Sequence, residues 1–181
     1  MHSAWRRKNV SAAKIESAKQ ELYALFGSAV SAQERGKKLE SALNSLFHAY
    51  GVLVRKAFHL VGESGEGIVE QIDGVIEING VLHFIEMKWY RRPVGKPEIA
   101  EHLVRLMSRA EARGIFISAS DFTEPAIHAA REFLQHKTLI LVTLHEIVGL
   151  LEQQNDLAEF FKAKVHAAQM DKNPFLRSQN A

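Results

Sequence analysis

The chain contains no cysteine. That single absence excludes a disulfide framework, a thiolate metal site and a cysteine nucleophile. No apolar run approaches the roughly 20 residues that a membrane-spanning helix requires. The opening Met1-His2-Ser3-Ala4-Trp5-Arg6-Arg7-Lys8 has no apolar segment behind it, so no secretory leader is read there and a cytoplasmic location is the expectation. Net charge is low, +2 from 23 basic and 21 acidic residues, so the whole molecule is not strongly basic. Several catalytic signatures are also missing. His145-Glu146-Ile147-Val148 runs into Gly149 instead of the second histidine of a zincin helix. The glycines from Gly62 to Gly67 lack the spacing of a nucleotide cradle, and no G-K-[ST] follows. Ser118 and Ser120 stand outside any G-x-S-x-G elbow. Nine histidines are scattered without the spacing of a zinc cluster.

What remains is a globular chain of 181 residues, 46% apolar and 24% charged, a size that suits one domain with an appended helix. Its positive charge is grouped. Arg6, Arg7 and Lys8 form one cluster, Arg35, Lys37 and Lys38 a second, and Lys88, Arg91, Arg92 and Lys96 a third. Local patches of this kind suit phosphate backbones.

Apolar periodicity predicts a helix over 11–33 and a second over 36–50, the latter with Leu39, Leu43, Leu46, Phe47 and Tyr50 at core spacing. Glu40 directly follows Leu39 and so lies beside that buried stripe. Residues 52–58 read as a strand, and 62–67 as a mobile connection. Beyond Pro97 the pattern gives a helix over 98–113, a short apolar strand at 114–118, a helix over 124–136 and a strand at 138–142. Two further helices, 144–152 and 156–168, complete the run. Helix and buried strand in alternation is the rhythm of an α/β sheet covered by helices. The organisation expected is a helical extension over 1–34, a domain over 35–170 and a flexible tail over 171–181.

The centre of interest is the segment from Glu70 to Trp89. Asn79-Gly80 between two apolar-rich runs is the strongest short-range signal for a two-residue type I′ hairpin, because both turn positions need positive φ. Asp73 precedes the turn by six residues and Glu86 follows it by six. A register set by that turn puts them opposite each other on neighbouring strands. Glu86 and Lys88, two apart, share a face, while Ile85, Met87 and Trp89 take the other. Leu82 and Phe84 make the Glu86 face partly apolar, so the strand is covered on both sides. Two carboxylates and a lysine held there can grip a divalent ion against a phosphate. Asp73 and Glu86 suit direct oxygen ligation, with the Met87 carbonyl between Glu86 and Lys88 also available. Lys88 could orient a water, deprotonate it if its pKa is lowered, or balance developing charge. Glu77 shares parity with Asp73, as an outer ligand or a solvated end. Glu70 and Gln71 lie near the site along the chain. His83 is expected to face away from Glu86. Glu86→Gln is expected to weaken metal binding and to leave folding largely intact, by relieving a buried like-charge pair.

With Asp73 followed, after a twelve-residue gap, by Glu86-x-Lys88, the chain resembles the PD-(D/E)xK nucleases, and more narrowly the Mrr-like restriction endonuclease domains. The resemblance runs from about Arg35 to Glu152. It includes Gly36-x-x-Leu39-Glu40, Glu70-Gln71-Ile72-Asp73-Gly74, Glu86-Met87-Lys88-Trp89, Gly114-Ile115-Phe116-Ile117-Ser118 with Phe122-Thr123 and Ala126, and the stretch from Leu139 to Leu151. Ile72 stands where the pattern's proline would be, and Glu86 where many Mrr-like sequences carry glutamine. The resemblance implies a restriction-endonuclease-like three-layer αβα sandwich with a mixed central sheet. It implies a DNA endonuclease that uses Mg²⁺, or Mn²⁺, with a catalytic set of Glu40, Asp73, Glu86 and Lys88. The metal would be held by Asp73, Glu86 and the Met87 carbonyl, with Glu40 acting through water. No separate DNA-reading segment is apparent. A non-catalytic nucleic-acid-binding or oligomerisation module with the same fold, and a nuclease acting on RNA or junctions, are the alternatives. The N-terminal helix is a candidate dimerisation or DNA-contact arm, which leaves a homodimer open.

Overall fold

Asn79 and Gly80 both take positive φ, 52° and 75°, so the turn that pins the hairpin is the one their side chains favour. The computed structural model describes residues 2–61 and 68–177, without the side chains of 2–11 and 68–69. The expected connection at 62–67 and the side chains of Arg6, Arg7 and Lys8 fall outside the described residues. The helices are α1 (His2–Ala24), α2 (Ala32–Ala49), α3 (Lys96–Met107), α4 (Glu124–Phe133), α5 (Leu144–Glu152) and α6 (Leu157–Asp171). The strands are β1 (Leu53–Val61), β2 (Ile68–Ile78), β3 (Val81–Lys88), β4 (Arg113–Ser118) and β5 (Leu139–Thr143).

The sheet runs in chain order, β1-β2-β3-β4-β5. Its first three strands are antiparallel neighbours and its last three parallel ones. The change follows from the connections, since β2 and β3 share a two-residue turn while α3 and α4 carry the chain back for β4 and β5. One face buries Ile76, Ile85, Met87, Ile115, Ile117, Ile140 and Val142 under α1, α2, α5 and α6. The other packs Phe116, Leu139 and Leu141 under Ile99, Leu103 and Leu106 of α3 and Ala126 and Ala130 of α4. Three layers and a mixed sheet match the αβα architecture expected.

Element borders differ where capping chemistry intervenes. The helix expected over 11–33 ends at Ala24, and α2 begins at Ala32 because the Ser31 side chain accepts the Glu34 N–H. The expected border after residue 34 therefore falls inside α2. α1 packs on the domain, where Ala18, Leu22 and Leu25 join the core shared by α2, α5 and α6. The helix expected to reach 113 stops at Met107, capped by Ser108, and frees Arg113 for β4. The expected flexible tail also packs in its described part. The Pro174 carbonyl accepts the Leu141 N–H, Phe175 is buried beside Phe122, and Arg177 pairs with Asp121. Lys164, 2% exposed, pairs with Glu146 at 2.7 Å and donates to the Leu176 carbonyl.

Candidate active site

The hairpin register pairs Gly74 with Ile85, which places Asp73 across from Glu86. Both carboxylates are buried, at 4% exposure each. Asp73 Oδ2 accepts the Met87 N–H at 2.8 Å, and Oδ1 accepts the Gln71 side-chain amide at 3.3 Å. Gln71 thus touches the site directly. Glu70 turns to Arg109 in a two-point pair at 2.7 and 2.5 Å, and Glu77 is an exposed strand end.

Asn44 explains how α2 reaches this edge of the sheet. Its Nδ2 donates to the Glu40 carbonyl at 2.8 Å and to the Asp73 carbonyl at 2.9 Å. A side chain at position 74 would bring its Cβ within 2.7 Å of Asn44 Oδ1, so the glycine after Asp73 lets helix and strand approach. Glu40 is half-buried, one turn before Asn44. Burial raises its carboxyl pKa, with Lys88 opposing and Glu86 reinforcing that shift. No side-chain hydrogen bond joins Glu40 to Asp73 or Glu86. Among the described residues no three His, Cys, Asp or Glu side chains form a ready metal cage.

Glu86 is enclosed by cations. Lys88 Nζ lies 2.6 Å from Oε1, and Arg105 Nη1 lies 2.6 Å from Oε2. His102 Nδ1 stands 3.7 Å from the same Oε2. Burial would raise the Glu86 pKa, but His102, Lys88 and Arg105 outweigh it and hold the carboxyl below its ordinary value. His102 is itself fully enclosed, and burial drops its pKa to about 4, so at neutral pH the charged partners are Lys88 and Arg105. Burial would likewise lower Lys88, yet Glu86 more than offsets it and the ammonium stays protonated above the ordinary lysine range. Asp73 has no such partner. Burial, and then the Glu86 charge, push its pKa up to about 7 against the pull of the Met87 N–H.

These contacts correct one expectation. The strain of like charges resides on Asp73, whereas Glu86 is the anchor of two buried or half-buried cations. Replacing Glu86 by glutamine takes the carboxylate from Lys88 and leaves Arg105 only Glu101, and so disturbs folding as well as any metal site. Neither Arg105 nor His102 figured among the residues read from sequence. For Arg105 the one local signal is the Glu101-Arg105 spacing, which puts the pair on one face of α3. His83 is buried, with Nδ1 2.9 Å from the Val81 carbonyl, and burial lowers its pKa to about 4.

The donor set fits a divalent cation. Asp73 supplies one buried carboxyl with no direct cationic partner among the described residues, and Glu86 a second that Lys88 and Arg105 now hold. Hard cations that retain several waters need only one or two such carboxylates.

A layered αβα fold with paired strand carboxylates and a lysine two residues on defines the restriction-endonuclease-like class. The family model described as restriction endonuclease, of Mrr catalytic type, matches residues 32–151, and the chain belongs to that family. Protein VC1899 from Vibrio cholerae superposes with a TM-score of 0.51 at 19% identity, covering 74% of this chain and 37% of its own. The DNA modification-dependent restriction endonuclease AspBHI gives 0.47 at 17% identity, over 87% of this chain and 40% of its own. The MspJI restriction endonuclease in complex with a 27-mer oligonucleotide gives 0.41 at 18%, over 92% and 38%. The chain thus spans about two fifths of the length of these proteins. No curated protein matches it at significance. Among the described residues no helix is long and apolar enough to cross a membrane.

Proposed function

We propose that this chain is a metal-dependent DNA endonuclease domain that hydrolyses phosphodiester bonds. The observation that carries the reading is the pairing of Asp73 and Glu86 across the β2–β3 hairpin, buried on one sheet face, with Lys88 bonded to Glu86 at 2.6 Å. Family membership supports it. Asp73, Glu86 and the Met87 carbonyl would hold Mg²⁺ or Mn²⁺, and Glu40 would reach it through water. When bound, the cation would lower the pKa of an attacking water and offset charge on the phosphate oxygens.

The chain's own residues divide the remaining work. Because Glu86 keeps Lys88 protonated, Lys88 acts as a cation and hydrogen-bond donor toward the phosphate and its water, and not as the base. The Met87 N–H and Gln71 amide fix the rotamer of Asp73, so its free lone pairs face a constant direction. Asn44 ties the helix carrying Glu40 to the strand carrying Asp73. Lys88, Arg91, Arg92 and Lys96 continue from the site and would receive the DNA backbone.

Incubation with supercoiled plasmid, linear duplex, single-stranded DNA and RNA, each with Mg²⁺, Mn²⁺ or EDTA, tests the proposal. Nicking of DNA that requires the metal and disappears in both Asp73→Ala and Lys88→Ala is the expected result. Cleavage surviving either substitution, or binding of DNA without cleavage under every metal condition, would overturn it.

A further inference from the structure

Among the described residues, Arg105 is the one charged group on Glu86 that comes from outside the hairpin. It reaches across from α3, with Nη1 on Glu86 Oε2 at 2.6 Å and Nη2 on Glu101, one turn earlier on the same helix. Its two carboxylates differ in kind. Glu86 is buried at 5% side-chain exposure, whereas Glu101 is 63% exposed. The guanidinium therefore has a second resting partner in solvent and can release Glu86 without losing every counter-charge. Arg109, just past the end of α3, makes the corresponding reach to Glu70 on β2 but bonds it through two points.

Glu86 Oε1 is already taken by Lys88. A further cation on this carboxylate must share Oε2 with a guanidinium of the same sign, and like charges at bonding distance repel strongly in a buried site. We infer that Arg105 is a displaceable counter-ion, a positioning residue that holds the Glu86 carboxylate until a divalent cation takes its place and then swings onto Glu101. The inference rests on the proposed metal-holding role of Asp73 and Glu86.

Calorimetric titration with Mn²⁺, without DNA, tests it on the wild-type chain, Arg105→Gln and Arg105→Lys. Removing the competing charge-assisted hydrogen bond tightens Mn²⁺ binding by about tenfold in Arg105→Gln, while Arg105→Lys stays near wild type because it retains the competing charge. Wild-type binding with an unchanged or weaker Arg105→Gln affinity would overturn the displacement idea alone. Absence of Mn²⁺ binding in all three would overturn the metal-holding reading, and this inference with it. Should Arg105→Gln fail to fold, guanidinium NMR signals of the wild-type chain decide. Mn²⁺ broadens everything near it, so Mg²⁺ is the probe there. Arg105 signals shift on titration while those of Arg109 stay in place, and an Arg105 signal that does not move as Mg²⁺ saturates the site would refute the inference.

Discussion

Asp73→Asn is expected to stabilise the protein while abolishing its response to metal. An aspartate in an unfolded chain ionises near pH 3.9, but in the fold Asp73 keeps its proton up to about 7. Between those values the folded state binds the additional proton, so stability falls as pH rises from about 4 to about 7 and is level above that. Roughly three pH units at about 1.4 kcal/mol each set an upper limit near 4 kcal/mol on the cost at pH 8. The asparagine carbonyl can still accept the Met87 N–H. The weaker contact to Gln71 is lost, which takes back about 1–2 kcal/mol. A net gain of about 2 kcal/mol remains, or some 4–8 °C in melting temperature for a chain of this size. Thermal and urea melts in EDTA at pH 8, 6.5 and 5 measure it. The gain should shrink as pH falls below 7, vanish near pH 5 and reverse below that. Mg²⁺ should then raise the wild-type melting temperature and leave that of the variant unchanged. A variant less stable than wild type at pH 8, or a difference indifferent to pH, would refute the reasoning.

Glu86→Gln has the opposite sign, losing about 2–3 kcal/mol in urea melts at pH 7 because half-buried Lys88 loses its carboxylate and Arg105 is left with Glu101 alone; a neutral or stabilising result would show that Lys88 is solvated without it. His83 is held neutral down to about pH 4, so its contribution, up to about 3 kcal/mol, is lost as pH drops from 6.5 toward 4. A His83 ring-proton NMR titration with its midpoint near 6.5 would contradict that burial effect. Leu22→Ala should cost about 2–4 kcal/mol by emptying space between α1 and the sheet's helical cover, whereas an unaltered melting curve would mean that α1 packs only loosely.

The hairpin was legible because two local rules agree there. Asn79-Gly80 dictates the turn, and period-2 alternation then decides which face Asp73, Glu86 and Lys88 share. Glu40 was legible only through the family pattern, since its own helix says no more than that it borders an apolar stripe. Arg105 and His102 were not legible. Their meeting with Glu86 depends on how far α3 travels after Gly95 and how it lies across β3, a tertiary distance that no local period encodes. The packing of α1 was half visible, since Leu22 and Leu25 belong to a recognisable stripe but nothing nearby names its partner. Phe175 escaped notice because a short polar end normally frays, and here a backbone hydrogen bond from Leu141 and the Lys164 ammonium hold it down.

The boundaries of the recognised family are narrower than those of the folded unit. Its matched stretch closes at residue 151, yet Phe161 and Val165 from α6 share a core with Leu22 from α1, and Phe175 plugs the opposite layer. An expression fragment trimmed to 32–151 would discard all four side chains, each worth about 1.5–3 kcal/mol of burial. That equals the entire margin by which an ordinary domain outlasts its denatured form. Anyone grafting this catalytic segment into another protein would need to carry both flanking helices along.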